Sequence, residues 1–253
     1  MGRVVQAVDS RLKAAARVYG ITAFSAKAIV LSPAVIVALY GVCIQLPTTR
    51  SIALLTLEEN NIVETLTFVF LLLGGVLGLA LAWRIRSVGG WYWQSVFYAA
   101  FSVLLLFVAA EEVAWGQQFL GFETPSTLSE VNKQGEATLH NVGILQGRSE
   151  FFRLAFGLVG LLGVLASFYQ RLRNIGAPVI LLPWFSIIAG VAGFDLYLDY
   201  FPINAELNFI LQRTSELVEM MIGASGLLFV WLNARMLSFH AKNPSSFHKR
   251  THT

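Results

Sequence analysis

Six apolar stretches, each long enough to cross a bilayer as a helix, decide what this chain can fold into. They run roughly over residues 28–46, 61–83, 92–120, 151–170, 178–200 and 208–238, and a hydrocarbon core of about 30 Å needs about 20 helical residues. Inside that core every backbone N–H and C=O must be satisfied within the protein, so runs of this length read as helices. Composition agrees: 56 % of residues are hydrophobic, 13 % are charged, and mean hydropathy is +0.64, the balance of a membrane protein. The predicted fold is all-α, a polytopic membrane helix bundle of about six transmembrane helices over residues 28–240. Residues 1–27 read as a basic amphipathic segment resting on the cytoplasmic leaflet. Residues 121–150 read as one long extracytoplasmic loop, and 241–253 as a cytoplasmic tail without fixed structure. The first run is too long for a signal-peptide core and reads as a retained span. Cys43 is the single cysteine, so no internal disulfide is possible.

Charge fixes the expected orientation. With six spans, Arg3, Arg11, Lys13, Arg17, Lys27, Arg84, Arg86, Arg171, Arg173, Arg235, Lys242, Lys249 and Arg250 share one side. The positive-inside rule makes that side the cytoplasm, with both termini there. Thirteen basic residues and one acid, Asp9, give it +12; five basic residues and fourteen acids give the other side −9, and together they make the chain's +3. Trp83, Trp91, Trp93 and Trp231 fall near the cytoplasmic ends, where amphipathic rings favour the headgroup layer. The expected location is a bacterial inner membrane. The basic pI is read as attraction to anionic lipid headgroups, so membrane lipids are expected partners and nucleic acid is not.

The acids converge in depth. Glu64 lies 20 residues from Arg84, Glu111 lies 20 from Trp91, Glu216 lies 19 from Arg235 and Asp195 lies 22 from Arg173. At about 1.5 Å per residue each spacing is about one hydrocarbon thickness. Four helices therefore bring carboxylates to the outer boundary of the core, with Glu112, Asp199 and Glu219 within a turn of them. Helix ends in water explain some of this. Seven crowded carboxylates nevertheless repel one another unless protons or cations join them, and intramembrane acids mark functional sites by default. Arg213, three residues before Glu216, is placed to neutralise it. Ala109, Glu112 and Gly116 would share one face of a continuous third helix.

In the outer loop, Glu136 and His140 stand four apart, helical spacing for a shared face. His140 is the only histidine before residue 240. Carboxylates with one imidazole can hold a divalent metal ion or activate water as a general base. The metal-ligand candidates are Glu112, Glu136, His140, Glu216 and Asp195. Gly223-Ala224-Ser225-Gly226 spells a serine-protease-like string, but it lies in the last span without a later intramembrane histidine and reads as helix packing. The Gly74-Gly75 pair reads the same way.

Glu111-Glu112-Val113-Ala114-Trp115-Gly116-Gln117, Gly121-Phe122-Glu123-Thr124-Pro125 and Gln134-Gly135-Glu136-Ala137-Thr138-Leu139-His140-Asn141 carry a resemblance. With Glu59-Asn60-Asn61-Ile62-Val63-Glu64, they are similar to a functionally unassigned family of bacterial multi-pass membrane proteins, over about residues 55–145. This implies that the second span, third span and outer loop form one site; it supplies no reaction. Glu111-Glu112 also resembles the first motif of CAAX-type and bacteriocin-immunity-type intramembrane glutamyl proteases, where a glutamate activates water. Gln117 replaces that motif's arginine at a spacing one residue longer, and the family's later histidine motifs are missing.

The functional expectation is a membrane hydrolase or transferase acting on a lipid, lipid-linked or membrane-embedded substrate. Glu111, Glu112, His140 and Glu64 are its candidate catalytic residues; Gln117, Asn141, Trp115 and Gln134 would orient substrate. A cation- or proton-coupled transporter and a non-catalytic assembly or sensing protein are the alternatives.

Overall fold

Capping residues and prolines divide the chain into helices. The computed structural model describes residues 2–58, 61–124, 138, 149–201 and 203–242. Helix α1 (Gly2–Tyr19) is followed by Thr22, whose hydroxyl accepts the Ser25 N–H at 3.0 Å and starts α2 (Ala23–Gln45). Pro47 opens α3 (Pro47–Thr56), a position where a missing N–H costs nothing. Asn61 caps α4 (Ile62–Ser87). Then come α5 (Tyr92–Glu112), the short α6 (Gln117–Leu120), α7 (Ser149–Ala166), α8 (Leu182–Tyr200) and α9 (Ala205–Lys242).

Among the described residues six helices are long and apolar enough to cross a membrane: Ala23–Gln45, Ile62–Ser87, Tyr92–Glu112, Ser149–Ala166, Val179–Tyr200 and Ala205–Ser238. The chain is an all-α polytopic membrane helix bundle. Two connections depart from the sequence reading. The third span stops at Glu112 instead of 120, because Ala114 and Trp115 adopt φ of 46° and 55°. The connection after the first span contains α3, whose Ala53 and the following Leu57 pack on Ile44, Val63, Leu217 and Met220. Ten residues with only that much apolar face give too weak a pattern to stand out from flanking spans.

Helices α4 and α9 form the centre. A Cβ on Gly74 would lie 3.2 Å from the Leu227 Cα, so α4 and α9 meet almost backbone to backbone. Gly223 sits against the Thr67 carbonyl of α4, and the buried Ser225 hydroxyl donates to its own helix at Ile222 O (2.9 Å). That serine string is therefore packing surface. Helices α7 and α8 approach each other just as closely: a Cβ on Gly157 would come within 2.7 Å of the Ala189 nitrogen.

The two ends of the bundle differ in charge. Contacts of Arg84 with Ser238 (2.6 Å), Arg235 with the carbonyls of Tyr19 and Gly20, and Tyr98 with Asn174 O (2.5 Å) gather one end. It carries Arg84, Arg86, Arg171, Arg173 and Arg235, and Asp9 is its only acid among the described residues. Arg50–Glu206 (2.8 Å) and Arg213–Glu58 (3.7 Å) lie at the opposite, acidic end.

The N-terminal helix, Gly2–Tyr19, is shorter than the 1–27 segment. Its residues Leu12, Ala15, Ala16 and Tyr19 pack against the bundle core. Asp9 binds Lys13 at 2.7 Å and Lys27 of α2 at 2.5 Å, and these two ammonium groups hold its carboxyl down at about 2. Burial pushes the Tyr19 hydroxyl up to about 12 against the pull of Arg173.

Pro33 lies inside α2 and cannot donate to the carbonyl four residues earlier, Ile29. In a bilayer such a carbonyl must find another donor. Trp184 of α8 supplies it: its Nε1–H donates to Ile29 O at 2.8 Å, with the Ser32 hydroxyl at 3.0 Å. Trp184→Phe is therefore expected to cost about 1–2 kcal/mol of stability, as for a lost buried hydrogen bond. The cost should shrink when Pro33→Ala restores the helical N–H. Unfolding titrations in mixed micelles over this double-mutant cycle would show it; an unchanged cost in the Pro33→Ala background would refute the account.

Candidate functional site: carboxylates bridged by Arg153

At the acidic end α5 terminates on two glutamates. Glu111 is buried, 6 % exposed, and accepts the Trp115 Nε1–H at 2.5 Å. Trp115 reaches back this way because three successive residues, Ala114, Trp115 and Gly116 (φ 90°), are left-handed. That conformation costs roughly 1–2 kcal/mol at each non-glycine residue. The indole bond and its edge-on contact with Phe107 at 5.5 Å hold it in place. Backbone strain of this kind concentrates at functional sites. Gly116 consequently does not share a helical face with Ala109 and Glu112. Gln117 sits in the chain that follows, donating from Nε2 to Phe122 O (3.1 Å) and Thr124 Oγ1 (2.9 Å).

Glu112 interacts electrostatically with Glu219, Glu216, Glu64 and Glu111, so acids from α4, α5 and α9 meet. The cluster of Val63, Leu217 and Met220 places three of them, since Glu64, Glu216 and Glu219 are chain neighbours of its members. Asn61 Oδ1 accepts the Ile62 N–H at 2.9 Å, which puts Glu64 in the first turn of α4. A carboxylate there is favoured by the helix dipole.

Asp195 joins through a cation. Arg153 of α7, 5 % exposed, donates from one nitrogen to Asp195 at 3.0 Å and from the other to Glu219 at 2.9 Å; Glu150 lies at 4.0 Å. One guanidinium fork thus ties α7, α8 and α9 together, the geometry for which arginine is suited. Arg213, read from the sequence as a neutraliser of Glu216, pairs with Glu58 and lies over the Phe209 ring at 5.6 Å. Arg153's role had a signal: it is the only basic residue in α7, and Asp195 and Asp199 are the only charges in α8. Asp199 itself is exposed.

Of the sequence-predicted site residues, Glu64, Glu111, Glu112 and Glu216 are brought together, and Asp195 is linked to them by Arg153 and Glu219. Trp115 contacts Glu111, and Gln117 bonds within the turn. Gln134, Glu136, His140 and Asn141 lie outside the described residues. Thr138, between them in sequence, is described and is buried, 1 % exposed. Among the described residues no group of three or more His, Cys, Asp or Glu side chains is placed to hold a metal ion. Of the metal-ligand candidates, Asp195 is instead an arginine partner. Comparison with protein-family models, curated proteins and solved structures finds no match to this chain.

Proposed function

We propose that the chain is an integral membrane hydrolase or transferase whose acidic end acts on a lipid, lipid-linked or membrane-embedded substrate. The observation that supports this best is Glu112, set at the end of a span among carboxylates from three helices and directly before a strained turn. Glu112 would serve as general base, a task that needs a fixed carboxylate within hydrogen-bond reach of its proton. Glu111, held by the Trp115 indole, and Arg153, through Glu219, would position it; His140, Gln134 and Asn141 of the outer loop would complete the substrate contacts. A divalent ion shared by Glu112, Glu216 and loop residues is the cofactor this reading allows. A cation-coupled transporter would instead want acids continuing towards the basic end, and Asp9 is the only one there among the described residues.

The test is turnover. Purified protein incubated with a total polar lipid extract should convert one lipid class, seen by mass spectrometry as a new product that scales with protein. Unchanged lipid profiles across extracts from several bacterial sources would remove the enzyme reading.

The charge sorting further supports a bacterial inner membrane with the basic end and both termini in the cytoplasm. In a Cys43→Ala background, Glu123→Cys should react with an impermeant thiol reagent added outside intact spheroplasts, and Ser10→Cys only after lysis. The opposite pattern would invert the orientation and place the acids in the cytoplasm.

A further inference from the structure

The basic end carries a second surface, independent of the acids. Arg11 and Arg17 lie on the exposed side of α1, and Arg171 and Arg173 are exposed in the α7–α8 connection. None of the four makes an ion pair among the described residues. Asp9, the one acid there, is taken by Lys13 and Lys27. Around them stand exposed aromatics, Trp83 at 75 % and Trp91 at 72 %, and the Arg86 guanidinium covers the Tyr92 ring at 5.3 Å. This is the arrangement of a headgroup layer: aromatic bodies with cations at the same level.

Both cationic elements are fixed in place. Arg235 donates to the carbonyls of Tyr19 and Gly20 while lying over the Trp231 ring at 5.5 Å, which anchors the end of α1. The Tyr98 hydroxyl donates to Asn174 O at 2.5 Å and anchors the connection that bears Arg171 and Arg173. Leu12, Ala15 and Tyr19 of α1 pack on the bundle, while Arg11, Lys13 and Arg17 are exposed. Elements held in this way keep their cations together, so less backbone freedom is lost when they bind an anion.

We infer that this end is a preorganised binding surface for the phosphate headgroups of anionic phospholipids, in which the exposed cations of α1 take part by charge. Each surface cation adds attraction that decays within a Debye length. Full-length protein reconstituted with brominated phosphatidylglycerol or brominated phosphatidylcholine reports the preference through quenching of tryptophan fluorescence. Phosphatidylglycerol should be preferred at least about fivefold at low salt, the worth of one cation near the surface, and the preference should fall towards unity at about 1 M salt. The Arg11→Gln, Arg17→Gln, Arg171→Gln, Arg173→Gln combination should reduce it to less than about twofold, while the same four positions changed to Lys should keep it. Trp115 and the lipids of the other end are common to all variants, so the difference reports on the basic end. Circular dichroism and melting would confirm that each variant folds. Equal quenching by both lipids in the wild type, or a preference that survives neutralisation or salt, would overturn the inference. So would tight binding of a short RNA with no lipid preference, which would assign the surface to another partner.

Discussion

Arg153→Met should destabilise the bundle by about 3 kcal/mol, the low end of the range for removing one partner from a buried ion pair. The cost arises from what remains. Asp195 at 13 % and Glu219 at 26 % side-chain exposure would face each other without the guanidinium, and partial access to water keeps the penalty from being larger. The same reasoning predicts a recovery. Arg153→Met combined with Asp195→Asn and Glu219→Gln removes all three charges and should regain most of the loss, since neutral replacements of a buried ionic group are often close to neutral in stability. Arg153→Lys should fall between the two, because an ammonium keeps the charge and cannot reproduce the two-pronged geometry. Unfolding titrations in mixed micelles, followed by circular dichroism, measure each step. A single substitution costing less than about 1 kcal/mol, the worth of an exposed pair, would show that the network is solvated and does not tie the three helices.

How much of this was legible in the residues follows from the physics of each element. Spans are written in length and hydropathy, and Ile62–Ser87 and Tyr92–Glu112 begin close to where the apolar runs begin. Helix ends are less visible. Apolar residues resume at Phe119 and Leu120 after Glu111, Glu112, Gln117 and Gln118, and nothing in Val113-Ala114-Trp115 announces a left-handed turn, because the indole bond to Glu111 that holds it is a contact between side chains. The meeting of Glu64, Glu112 and Glu216 was approached by counting residues along rigid helices, a one-dimensional measure that works when helices run side by side. Arg153's pairing with Asp195 and Glu219 depended on rotation about those helices, which counting does not give. Trp184's bond to Ile29 O belongs to the same category: Pro33 declares an orphaned carbonyl, but the donor comes from a helix 155 residues away.

Glu112→Gln should abolish turnover, by about 10²–10⁴-fold for loss of a general base, while leaving the protein folded and inserted. The amide keeps the volume and most of the hydrogen bonding of the carboxyl group, and it costs less to bury than a charge. Stability should therefore hold or rise, which separates a chemical role from a structural one. Glu216→Gln provides the comparison. It removes one charge from the same set but not the group at the end of α5, so a site acting through generic negative potential predicts similar losses from both, whereas a specific base predicts a far larger loss from Glu112. His140→Ala tests the outer loop in the same way, with a loss comparable to that of Glu112→Gln if the imidazole shares the proton transfer. Lipid product formation by mass spectrometry, paired with melting curves in detergent, reads both axes. Full activity in both Glu112→Gln and His140→Ala would remove the catalytic reading and leave the acidic end as a surface for a binding partner, because a partner held by many charges tolerates the loss of one.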